Sequence, residues 1–141
     1  MKYYCKRFED CSVDELFAFF KARQDVFVVE QNCVYPDIDE IDRIATHVWL
    51  EEDGALVSYL RFFERKEEPG TIQIGRVLSL KRRAHLGTAL MEYALSKIPE
   101  SSLYLEAQVY AIPFYEQFGF QVTSEQFLED GIPHVKMRLQ R

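Results

Sequence analysis

The chemistry in this chain is concentrated between Ile74 and Leu90, IGRVLSLKRRAHLGTAL. An apolar run ends there, a basic turn Lys81-Arg82-Arg83 follows, and a helix-forming sequence begins. The first N–H groups of a helix have no backbone partners, and the helix dipole adds positive potential at the same end. Such an end attracts anions. Arg82 and Arg83 add charge beside it, and Gly87 lets a ligand or backbone come close. A doubly charged pyrophosphate suits this arrangement. A second cluster consists of acids: Asp37, Asp39, Glu40 and Asp42. They lack the central Gly and the final bidentate Glu of a calcium loop, so no metal site is expected. They are expected to form a solvated acidic rim. With Glu30, and with Glu129 and Asp130 in a loop before His134, they would draw in a protonated amine.

The elements that must position these groups can be read from pattern. Tyr3–Phe8 is expected to be a strand. Ser12, with Glu15 three residues on, has the form of a capping box. Leu16, Phe17, Phe19 and Phe20 then predict an amphipathic helix to about Val26 or Phe27. Gln31–Thr46 is expected to be a loop, with room for a short helix. His47–Leu50 and Ala55–Phe63 flank Asp53-Gly54, a hairpin signal, and Thr71–Leu80 continues the meander after a turn at Glu67–Gly70. Leu86, Leu90, Ala94 and Ile98 mark one stripe of a helix over Leu86–Ile98. A strand at Leu103–Ala107 follows, then a short helix opened by Pro113 and closed by Gly119, then strands at Phe120–Thr123 and His134–Leu139. The order predicts an α+β or mixed α/β fold, a mostly antiparallel sheet flanked by helices. The βαβ passage should place its two strands in parallel.

The bulk composition narrows the partners. A chain of 141 residues suits one domain, residues 1–141, and 11 Phe with 8 Tyr supply a core readily. The formal net charge of −6 argues against nucleic acid. No apolar run has the length to cross a membrane, and MKYYCKRFED has no apolar export core. Cys5, Cys11 and Cys33 have no metal or redox spacing. A cytoplasmic protein is expected, as monomer or homodimer.

Arg82-Arg83-Ala84-His85-Leu86-Gly87-Thr88-Ala89-Leu90 resembles the acyl-CoA signature of the GNAT acetyltransferases, with His85 where that family usually has its first Gly. Leu105–Gln108 followed by Ala111–Phe120 is similar to the family's second block. Arg23, Val26–Cys33, Asp37–Asp42 and Glu129–His134 look like the ElaA-like subgroup. The resemblance implies a GNAT-like fold and an acetyl-CoA-dependent N-acetyltransferase acting on a small-molecule or peptide amine by direct transfer. It places Gly75, Arg76 and Val77 along the pantetheine arm, Arg82 through Thr88 on the pyrophosphate, Gln108 beside the cofactor, and Tyr115 as the acid that protonates the departing thiolate. The oxyanion would fall to a backbone N–H near Val77, and the base to Glu30, His47 or His134. A CoA-binding module without catalysis, or a plain structural domain, are the alternatives.

Overall fold

The structure, a computed structural model, describes residues 1–81 and 84–141, Ala84 by its backbone alone. The chain forms two compact units, each discontinuous in sequence: Met1–Phe63 with Arg76–Pro99, and Glu64–Gly75 with Glu100–Arg141.

The first unit carries three antiparallel strands in sequence order, β1 (Lys2–Arg7), β2 (Thr46–Glu52) and β3 (Ala55–Glu64). Asp53 and Gly54 join β2 to β3 with both φ angles positive, 54° and 79°, the turn expected of an Asp-Gly pair. The second half of β4 (Thr71–Ser79) comes next to β3: Leu80 N–H donates to the Val57 carbonyl at 2.8 Å, and Ser58 Oγ to that of Leu78 at 3.0 Å. Helix α1 (Val13–Arg23) starts as the capping box predicts. Ser12 Oγ accepts from the Glu15 N–H at 3.1 Å, and Glu15 Oε1 accepts from the Ser12 N–H at 2.8 Å. Ser12→Ala should therefore cost about 1 kcal/mol, measured by urea unfolding.

Past Arg23 the helix widens instead of ending at Val26 or Phe27. Gln24–Glu30 is π-wound, and Gln31 and Cys33 donate to carbonyls five residues back, those of Val26 and Val28. A 3.6-residue period cannot follow such a segment. A short α2 (Ile41–Ile44) lies in the expected loop. Phe19 occupies the centre of the core, its ring 4.6 Å from His47 and 4.9 Å from Tyr59. Helix α3 (Ala84–Lys97) begins two residues before Leu86 and packs Leu86, Leu90, Met91 and Ala94 inward, against β1 and β2.

In the second unit the first half of β4 runs parallel to β5 (Ser102–Gln108), from Thr71↔Ser102 to Ile74↔Leu105. This is the expected parallel pair. β5 is antiparallel to β8 (Ile132–Gln140), and both β6 (Gln121–Val122) and β7 (Phe127–Glu129) pair with β8. The strand expected at Phe120–Thr123 is thus two residues long, and β7 was not foreseen. Three residues are too few for an alternation to register. The Asp130-Gly131 turn, with φ of 51° and 79°, is nonetheless the same signal as Asp53-Gly54. Helix α4 (Ile112–Glu116) grows out of a 3-10 turn at Val109–Ala111, one residue ahead of Pro113, and Gly119 at φ 96° follows it.

Candidate active site

In the first unit, Arg76 carries φ 54° in the middle of β4. A non-glycine residue held there costs about 1–3 kcal/mol and persists only where its surroundings over-determine it. The kink falls on the strand residues expected along the pantetheine arm, between Gly75 and Val77. Its side chain lies among the acids of the 37–42 segment, whose burial corrects the expected acidic rim. Asp37 and Asp42 are buried, with 6% and 2% of their surface exposed, and Asp39 is partly covered. Arg23, wholly buried, pairs through Nε with Asp37 Oδ2 at 2.9 Å and through Nη1 with Asp42 Oδ1 at 2.6 Å. Arg61 Nη1 reaches Asp39 Oδ1 at 2.7 Å and Asp42 Oδ1 at 2.8 Å. Arg76 takes Asp37 Oδ1 at 2.9 Å and Asp39 Oδ2 at 3.4 Å. Three carboxylates thus meet three guanidiniums, and the pull on a cationic amine expected from them loses its source. Of the four acids only Glu40 is exposed, and it pairs with Arg43 at 3.2 Å.

His47 leaves the list of bases for the same reason. It is fully buried under Phe19. Its Nε2 lies 2.9 Å from the Asp42 carbonyl, which can only accept, so Nε2 carries the proton and Nδ1 accepts from the Tyr59 hydroxyl at 2.7 Å. Burial pushes its imidazole below the ordinary value, outweighing the Asp42 carbonyl, so it stays neutral.

The anion turn is partly described. Arg82 and Arg83 lie outside the described residues. α3 opens at the Ala84 backbone with no acid in its first turn. His85 is exposed, Gly87 and Thr88 are half-buried, and Leu86 is fully buried in the core, leaving only its backbone for a ligand. A helix start of this kind fits a pyrophosphate. Glu30 ends the π-wound segment and is exposed.

The second unit brings together Gln108 and His134, directly opposite each other across β5 and β8. Opposed residues share one face of an antiparallel pair. His134 Nδ1 lies 2.7 Å from the Ile132 carbonyl and must donate to it, which turns Nε2 toward Glu129 Oε2 at 3.4 Å. The segment expected as a loop is the hairpin of β7 and β8, in which Glu129 faces Ile132 and His134 faces Phe127, so that Glu129 and His134 are diagonal neighbours. Tyr115 sits in α4, its ring edge-on to Phe114 at 5.1 Å and to Phe120 at 6.2 Å. Burial pushes its phenol well above the ordinary value, with a smaller push from Tyr110, so the proton stays on at neutral pH. Among the described residues no cluster of His, Cys, Asp and Glu could hold a metal ion.

The sequence profile of the Acetyltransferase (GNAT) domain matches residues 11–141. A UPF0039 protein of Schizosaccharomyces pombe is 41% identical over 99% of this chain and 97% of its own. Protein ElaA of Escherichia coli is 37% identical over 91% of this chain and 89% of its own, and its crystal structure superposes with a TM-score of 0.91 over 99% of both chains. The crystal structure of an acyl-CoA N-acyltransferase from Pseudomonas aeruginosa gives a TM-score of 0.90 at 36% identity, again over 99% of both chains. The open mixed sheet, the parallel β4–β5 pair and the helix that starts after β4 are thus those of an acyl-CoA N-acyltransferase, and the chain belongs to the GNAT acetyltransferase family, with ElaA among its relatives.

Proposed function

We propose that the chain moves an acetyl group from acetyl-CoA to a primary amine of a small molecule or peptide, by direct transfer within a ternary complex. Family membership over residues 11–141 carries this reading. Acetyl-CoA supplies the activated carbonyl and the thiolate leaving group. The start of α3, with Arg82, Arg83, Ala84, His85, Gly87 and Thr88, holds the pyrophosphate. Gly75, Arg76 and Val77 offer backbone groups to the pantetheine arm, and an N–H near Val77 meets the charge that builds on the carbonyl oxygen. Gln108 lies along the cofactor. Tyr115 keeps its proton for the thiolate, and Glu30 or His134 takes the proton of the amine. Glu129 Oε2, 3.4 Å from His134 Nε2, helps to orient that ring. Residues 1–141 act as one domain, cytoplasmic, as monomer or homodimer, without nucleic acid or membrane.

An amine panel with acetyl-CoA, read by release of free thiol, tests the reaction. Binding has its own readout. At a hundredfold excess over the dissociation constant, acetyl-CoA should stabilise the fold by about 2.7 kcal/mol in thermal denaturation. Gly87→Glu should abolish that shift, because it sets bulk and negative charge against the pyrophosphate. No shift in the unaltered protein at millimolar ligand refutes the proposal.

A further inference from the structure

The side chain of Arg76 points to a role distinct from that of its backbone. Its residue is the left-handed one in β4, and its guanidinium is fixed on several sides. Nε sits 2.9 Å from Asp37 Oδ1, off the N–H axis, as an ion pair. Nη2 donates to the Asp37 carbonyl at 3.1 Å and lies 3.4 Å from Asp39 Oδ2. Its Cζ lies over the Tyr35 ring, 5.4 Å from the centroid, and the Tyr35 hydroxyl donates to Asp37 Oδ1 at 2.6 Å. Asp37 is itself immobilised by α1: Arg23 Nε donates to Oδ2 at 2.9 Å, and Nη2 to the carbonyl at 2.6 Å. The kink is therefore tied through Asp37 to the end of a core helix. A salt bridge kept only for stability could sit at any exposed pair of positions along the strand. This one sits on the single residue of β4 whose φ is positive.

We propose that Arg76 and Asp37 are positioning residues, whose pairing holds the left-handed kink of β4 and so the aim of the backbone N–H near Val77. The inference rests on the acyl-transfer reading given above. A donor that must meet charge only as it develops works when it is already in place, and small misplacements are costly in rate. Loss of the tether leaves the strand and its core contacts but frees the kink to relax.

The test compares Arg76→Gln, Arg76→Lys and, from the other end, Asp37→Asn, in the full chain. Arg76→Gln should lower kcat about tenfold or more, with KM for acetyl-CoA nearly unchanged, and Arg76→Lys, which keeps the charge, should recover part of the loss. Amide hydrogen exchange gives a second readout that needs no acceptor. In Arg76→Gln and Asp37→Asn the amides of residues 75–78 should exchange about tenfold faster, while that of Leu60 in β3 holds its rate. Unchanged kcat in a folded Arg76→Gln overturns the inference, as does a fall in melting temperature with kcat and exchange intact. Should the unaltered protein transfer acetyl to no amine, the acyl-transfer reading fails by itself. The exchange rates then decide the tether alone: faster at 75–78 upholds it, unchanged refutes it.

Discussion

Asp42→Ala should destabilise the first unit by about 3–5 kcal/mol, the usual result of removing one partner from a buried ion pair. The carboxylate accepts from Arg23 Nη1 at 2.6 Å and Nη2 at 3.2 Å, from Arg61 Nη1 at 2.8 Å, and from the Asp39 N–H at 3.0 Å. Without it, two buried guanidiniums share what is left of Asp37 and Asp39. A loss of this size is a large part of the 5–15 kcal/mol that holds a domain together, so urea unfolding should register it plainly. Glu40→Ala, at the exposed acid of the same segment, should change little. Equal effects in the two variants would show that the buried network carries no special weight. Acid titration adds a further check. Burial by itself would raise the Asp42 carboxyl, but the hydrogen bonds and charge of Arg23 outweigh it and hold it below its ordinary 3.8. Asp39 behaves likewise through Arg61. A carboxyl depressed in the folded state stabilises the fold above its unfolded value, and that contribution is lost as pH falls through the folded one. Stability should therefore drop below about pH 4, and less steeply in Asp42→Asn.

That network also marks the limit of what the sequence disclosed. Features decided within a few residues were legible: the Ser12–Glu15 box, the Asp53-Gly54 turn, the stripe of α3 and the parallel pair that a βαβ order demands. Asp37, Asp39 and Asp42 were misread because their neighbours in sequence are other acids, which looks like a solvated face. Their partners are 14 to 39 residues away, on α1, β3 and β4. The left-handed turn at Arg76 has no signal of its own, since a glycine would announce it and an arginine does not. The π-wound segment and the three-residue β7 failed for a plainer reason, being off the 3.6 period and too short for a period of two. Of the candidate site, the CoA turn and Tyr115 are proposed from resemblance. The Glu129–His134 contact could not, because it depends on the register of a hairpin that was expected as a loop.

Tyr115→Phe should lower kcat by about a hundredfold or more, the usual contribution of a positioned proton donor. The ring stays, so its edge contacts with Phe114 and Phe120 stay, and the melting temperature and KM for acetyl-CoA should move little. The pH profile follows from the environment of the phenol. A general acid works only while protonated, so activity that depends on it is lost as pH rises through its pKa. Burial lifts that value above the ordinary 10.0, and the loss is displaced to still higher pH. The rate of the unaltered protein should then climb with pH as the base and the amine lose their protons, without an alkaline fall below about pH 10. A falling limb near pH 8 would assign the acid to some other group. An unchanged kcat in Tyr115→Phe would hand the thiolate's proton to water, and a collapse of stability with kcat intact would reduce Tyr115 to a core aromatic.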